Sequence, residues 1–215
     1  MGCFLENNLT LHERHELRVL ELIEEQDKLT QRGVAADLEI AIGMANSLIK
    51  RLVRKGYIKI KDVPSSRYGY YLTPQGFLAK SQLVSKYIAN SVKFFGEVRR
   101  DFEAIAKQVS KSKHRSVGCI GTGEILEIAQ MVFQSHNVKI RFVVDVLGHG
   151  ENQHYKDLSD VPSALMDEID YLVITESERP HKAFEIVSTG KCKTSILPPT
   201  FMKIIPKSDL NQGVS

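Results

Sequence analysis

Apolar residues recur at helical spacing over residues 43–56: Ala45, Leu48, Ile49 and Leu52 share one face, and Met44, Asn46, Ser47, Lys50, Arg51 and Arg54 the other. The apolar face predicts a helix packed on a small core. The opposite face is polar at its start and cationic toward its end, which suits base edges first and phosphates after. Before it, Thr30 stands as N-cap of a short helix through Val34, Ala35 and Leu38, and residues 39–43 turn the chain into the next helix. After it, Gly56 stops the helix, and residues 57–61 and 68–72 alternate as strands around a polar tip at 62–67 carrying Arg67. Helix, turn, helix and hairpin predict a winged helix-turn-helix. A preceding helix over 14–25 turns Leu17, Leu20 and Ile23 inward.

Thr73 and Pro74 then mark the N-cap and first residue of a long helix, and no proline interrupts residues 75–109. Phe77, Val84, Ser91, Val98 and Ile105 fall on one heptad position; Ser81, Ile88, Phe95, Phe102 and Val109 fall on another. Eight of these ten are apolar. At 1.5 Å per residue, about 33 residues span about 50 Å, a longer stripe than a small domain buries. The seam is expected to pair with a second copy in a homodimer; the alternative is that half packs on each flanking domain. Residues 111–115 read as a polar linker that includes His114.

From Ser116 the period changes. Buried strands are expected at 116–120, 138–144, 170–175 and 194–197, with helices over 124–135 and 182–188 between them. Alternating strands and helices predict a parallel sheet with right-handed crossovers, a small Rossmann-like domain. The fold class is therefore an α+β winged helix-turn-helix (residues 1–73), a long connecting helix and linker (74–115), and an α/β Rossmann-like domain (116–215). Gly121, Thr122 and Gly123 form the first strand-to-helix turn, where a phosphate sits on a helix N-terminus in nucleotide-binding folds. Asp145 ends the second strand, where an acid commonly holds a ribose, and Thr175 ends the third. These five are the candidate ligand-binding residues. Leu126 replaces the third glycine of the fingerprint, and Glu124 sets a carboxylate beside the place of a pyrophosphate.

Residues Thr30-Gln31-Arg32, Val34-Ala35, Leu38, Ile40, Ile42-Gly43, Asn46, Leu48, Leu52, Gly56-Tyr57-Ile58-Lys59 and Leu72-Thr73-Pro74-Gln75-Gly76 resemble winged-helix regulators of the MarR type, over roughly residues 10 to 95. The likeness is closest to bacterial members associated with polysaccharide loci. Two positions depart from it: Gly33, where a larger residue is usual, and Glu39, where glycine often makes the turn. Gly33 weakens its helix by roughly 1 kcal/mol relative to alanine. Further on, residues 117–129, Val143-Val144-Asp145, and 171–175 with Leu197-Pro198-Pro199 look like nucleotide-binding domains of nucleotide-sugar enzymes. The domain order resembles redox-sensing repressors with an NADH-binding Rossmann domain, so the resemblance implies NAD(H) or a nucleotide-sugar as effector.

Charge sharpens the division. Residues 1–115 hold 20 Lys and Arg against 13 Asp and Glu, whereas residues 116–215 hold 9 against 13. Residues 43–67 carry seven basic side chains and the single acid Asp62. A basic half joined to an acidic half fits one domain on nucleic acid and one off it. Gln31, Arg32, Asn46 and Ser47 are expected at base edges or backbone, with Met44 on the same face, and Lys50, Arg51, Arg54 and Arg67 at phosphates or the minor groove. No long apolar run is present, the start is a poor secretory signal, and Glu6 stands where a lipidation motif wants Ser or Thr. Cys3, Cys119 and Cys192 form no disulfide or zinc spacing, which suits a reducing cytoplasm. His149, His154 and Cys192 lack metal-ligand spacing, and Glu176, Glu178 and Arg179 read as a charged surface loop.

The resulting expectation is a cytoplasmic, dimeric transcriptional regulator without catalytic activity that binds double-stranded DNA and a small-molecule effector, and no membrane. Its rivals are an enzyme of NAD(P) or nucleotide-sugar chemistry tethered by a winged helix, and a constitutive DNA-binding dimer whose second half is structural.

Overall fold

A computed structural model describes residues 9–25, 29–63, 67–148, 154–189 and 194–204, of which 61–63, 67 and 68 are described by backbone alone. These residues form two compact units divided between Val92 and Lys93. The expected boundaries at 73 and 115 set the long helix apart; instead its first part belongs to the first unit and its remainder to the second.

The first unit opens on α1, Leu11–Glu25. It begins before the expected residue 14 because Thr10 and Glu13 cap it reciprocally: Glu13 N donates to Thr10 Oγ1 (3.2 Å) and Thr10 N to Glu13 Oε2 (3.0 Å). Helix α2, Gln31–Asp37, is capped by Thr30, whose hydroxyl accepts from Gly33 N at 3.0 Å. A Cβ on Gly33 would stand 3.3 Å from that hydroxyl, so the glycine that weakens the helix leaves the cap undisturbed. The turn into α3, Ile42–Arg54, passes through Glu39 at φ 53°, the left-handed conformation glycine accepts most easily.

Ala45, Leu48, Ile49 and Leu52 of α3 are buried with Val19, Leu20, Leu22 and Ile23 of α1, Val34 and Ala35 of α2, and Ile58 and Tyr70. Leu17, expected inside, is half-buried. Strands β1, Ile58–Val63, and β2, Arg67–Leu72, pair antiparallel from Ile58↔Leu72 to Val63↔Arg67. Asp62, Val63 and Arg67, expected in the hairpin tip, are therefore strand residues: β-branched Val63 continues the ladder past the polar pair Asp62↔Tyr68.

Helix α4 runs unbroken over Pro74–Val109. Thr73 caps it, its hydroxyl accepting from Gly76 N at 3.0 Å. The heptad seam does not have one fate. Val98, Phe102, Ile105 and Val109 are buried in the core of the second unit, whereas Phe77, Ile88 and Phe95 stay exposed. Phe102 meets Phe133 and Phe201 edge-on, at 5.8 and 6.2 Å between ring centroids.

The second unit continues with β3 (Ser116–Ile120), α5 (Glu124–Ser135), β4 (Lys139–Val144), α6 (Ser163–Asp167), β5 (Tyr171–Ile174), α7 (Pro180–Thr189) and β6 (Ser195–Leu197). The sheet order is β4-β3-β5-β6 and every pairing is parallel. The strand order reverses at β3 and β5, where such sheets open a crevice at their carboxyl ends. The expected linker at 111–115 is tied down rather than loose. Asp170 accepts from Ser112 Oγ (2.6 Å) and His114 N (3.0 Å), and its Oδ1 lies 3.6 Å from His114 Nδ1. Burial pushes the Asp170 carboxyl up, but bonds from Ser112, His114 and Ser116 outweigh it and leave its pKa lowered. Among the described residues, no helix is long and apolar enough to cross a membrane.

Candidate nucleic-acid interface

Burying Ala45, Leu48, Ile49 and Leu52 obliges the rest of α3 to face outward. Met44, Ser47, Lys50 and Arg54 are exposed and Asn46 is half-buried. Helix α2 adds exposed Arg32 and half-buried Gln31 at its first residue. Two clefts flank α3. One, of about 720 Å³, lies toward the hairpin; Ile49, Val53, Ile60 and Tyr70 line it with Gln31, Asn46, Lys50 and Arg54. The other, of about 440 Å³, lies toward α1, where His12 and His15 face Met44, Ser47, Arg51 and Arg54. Short polar groups near the start of α3 and cations near its end thus share one surface, as major-groove readers require.

One expected contact is placed differently, and another is described by backbone alone. Arg51 is half-buried and turned toward α1, with Nη2 3.0 Å from His12 Nδ1. Arg67 is paired with Val63 in the hairpin, and its side chain lies outside the described residues. Not every cation of the basic stretch is free for DNA: Lys55 reaches both oxygens of buried Glu16 at 2.9 Å, and its Nζ lies 5.2 Å from the Tyr57 ring centroid. Sequence reasoning missed His12, His15 and Glu16. The signal available was Glu16, a carboxylate on the inner side of α1 where an amphipathic pattern wants an apolar residue, with His12 one turn before it.

At the carboxyl end of the parallel sheet the five ligand candidates are brought near one another and largely put to local use. Gly121 has φ 110°, and a Cβ there would come within 2.3 Å of Glu176 N, so the loop after β5 lies directly against it. Thr175 is fully buried; its hydroxyl donates to Gly121 O at 2.7 Å, with Ile120 O at 3.1 Å, and thereby fastens the two loops together. Asp145 is buried and its Oδ1 accepts from Gly148 N at 2.9 Å. Gly123, the N-cap of α5 at φ 90°, is exposed with open space where a side chain would go, and Thr122 beside it is half-buried. Glu176, expected in a charged surface loop, is instead 3% exposed, its Oε1 accepting from Glu178 N (2.7 Å) and Arg179 N (3.3 Å) just before α7. The reason is Gly121: without a side chain it lets the Glu176 backbone close over the crevice. Cys119 is buried in β3, which pushes its thiol up to about 12 and leaves it inert. Of the remaining histidines and cysteines considered for a metal, His149 and Cys192 lie outside the described residues, as does Cys3.

Residues 13–59 match a family model described as winged helix-turn-helix DNA-binding. No curated protein matches the chain. Solved structures that match include one described as PigF with SAH, 14% identical, covering 87% of this chain and 56% of that one, with a TM-score of 0.24. This chain thus spans little more than half that structure's length, and a likeness at that score carries no argument. The family match and the geometry agree on the same stretch: the chain carries a winged helix-turn-helix of the DNA-binding kind, followed by a long helix and a parallel α/β unit of Rossmann-like order.

Proposed function

We propose that the protein is a cytoplasmic transcriptional regulator of MarR-like character that binds double-stranded DNA as a homodimer and carries its effector domain in the α/β unit. The observation that carries the reading is the division of α3, buried on four apolar residues and open on Met44, Ser47, Lys50 and Arg54. The open face supplies phosphate contacts for affinity and short polar side chains for sequence. Dimerisation rests on the seam residues of α4 that stay exposed, Phe77, Ile88 and Phe95. Selection by the full chain from a pool of random duplexes tests both parts. An inverted repeat with half-sites one helical turn apart, about 34–36 Å or a multiple, is expected. Enrichment of no sequence, or of single half-sites alone, would contradict the reading.

Fewer than the five candidate residues remain open to an effector. With Thr175 fastening a loop and Gly121 covered, the approach left to a phosphate is at Thr122 and Gly123, on the first turn of α5, and Asp145 reaches a ligand only by sharing its carboxylate with Gly148. An NAD(H), NADP(H) or nucleotide-sugar ligand at about a hundred times its Kd would stabilise the protein by about 2.7 kcal/mol, enough to raise Tm by several degrees. Gly123→Val is expected to abolish that rise. If no member of the panel shifts Tm, the α/β unit is structural and the DNA-binding dimer constitutive.

A further inference from the structure

Arg51 differs from the other cations of α3 in being held by the protein itself. Its Nη2 lies 3.0 Å from His12 Nδ1. A guanidinium keeps its protons and only donates, so His12 Nδ1 accepts and the imidazole is neutral, with its proton on Nε2. That Nε2 stands 4.0 Å from Glu16 Oε2, and Glu16 is already bound through both oxygens by Lys55. Among the described residues, Arg51 Nε is buried without a hydrogen-bond partner. In this pose the guanidinium thus gives one bond to a neutral acceptor while a second donor is unmet. A DNA phosphate offers charged acceptors to both.

We propose that His12 is a positioning residue that governs DNA binding through Arg51: the neutral imidazole latches the guanidinium back against α1, and protonation releases it to a phosphate. This rests on the DNA-binding reading above. Protonated His12 has no lone pair for Arg51, and the contact turns from a hydrogen bond into a repulsion between two cations. The charged and titratable neighbours are Glu13, Arg14, His15 and Glu16 on α1, Arg54 on α3 and Lys55 just beyond its end; Lys86 on α4 binds Glu13 at 2.6 Å. Burial, then the charges of Arg14 and His12, hold His15 below the ordinary imidazole value.

The test is a titration of a duplex, selected by the full chain from a random pool, at about pH 8 and about pH 5.5. At the higher pH, His12→Ala is expected to bind roughly threefold to tenfold more tightly than wild type, the scale of one neutral hydrogen bond. The gap closes at the lower pH, where wild type releases Arg51 by itself. His12→Gln retains an acceptor that does not titrate, so it binds like wild type at the higher pH and loses the tightening at the lower. In an Arg51→Gln background, His12→Ala changes nothing at the higher pH. Equal or weaker binding by His12→Ala at the higher pH, or a gap that survives Arg51→Gln, overturns the latch while leaving DNA binding intact. Failure of wild type to bind any duplex overturns both.

Discussion

At the scale of single residues, the turn before the reading helix is held by an acid in a conformation that favours glycine. Glu39 is exposed at φ 53°. Left-handed backbone costs a non-glycine residue roughly 1–2 kcal/mol, partly offset by the extra freedom glycine brings to the unfolded chain. Glu39→Gly is therefore expected to stabilise the protein by about 0.5–1 kcal/mol in urea denaturation; a loss of stability would contradict the geometry. Glu13 gives the matching test in acid. Hydrogen bonds from Lys86 first, and then from Thr10, lower its pKa from 4.5 to about 2. A carboxyl depressed in the folded state contributes stability that is full above its ordinary value and lost as pH falls through its folded value. Stability should thus decline from about pH 4.5 toward pH 2, and Glu13→Gln should flatten that limb. An unchanged limb would mean that Glu13 is solvated. The sequence made Glu39 legible, because a turn was wanted there and no glycine stood in it. It left the Glu16–Lys55 pair illegible, because a polar residue on an inner helix face does not announce a partner 39 positions away.

At the scale of elements, the α/β unit was the most legible part, since β3 and α5 begin and end where the change of period places them. The hairpin was less so: polar Asp62 and Arg67 read as tip, while cross-strand pairing makes them strand. The entry to α4 has a stricter requirement than its capping motif announces. A Cβ on Gly76 would come within 1.9 Å of the Tyr57 carbonyl oxygen, a backbone atom that cannot step aside alone. Gly76→Ala should cost about 1–3 kcal/mol or more through overpacking, measured by thermal unfolding; a neutral substitution would disprove the close approach. Along α4 the heptad pattern left two fates for the stripe, a seam with a second copy or packing half on each flanking domain, because periodicity reports which residues are apolar and not what covers them. The two halves of the seam are therefore expected to respond differently. Phe102→Ala, in the core of the second unit, should lose about 3–5 kcal/mol. Ile88→Asp, on the exposed part, should leave stability nearly unchanged and convert dimer to monomer in sedimentation. A stable dimer in that variant would remove the seam from the interface.

At the scale of the whole molecule, the basic half of the chain is the one that carries the winged helix, and the chain divides into its two compact units inside α4 rather than at the limits of that helix. The α/β unit was legible in topology and not in its candidate site, because Gly121 serves a loop-on-loop contact that looks in sequence like room for a phosphate. DNA recognition is expected to depend on the outward face of α3. The most direct measurement compares the salt dependence of DNA binding for wild type, Arg54→Ala and Asn46→Ala on a selected duplex and on random DNA. Arg54→Ala should weaken binding to both and reduce the magnitude of the slope of log K against log salt by about 0.9, the loss of one phosphate contact. Asn46→Ala should lose roughly 1–3 kcal/mol on the selected duplex, and less on random DNA. Wild-type affinity and wild-type slope in both variants would show that this helix does not read DNA.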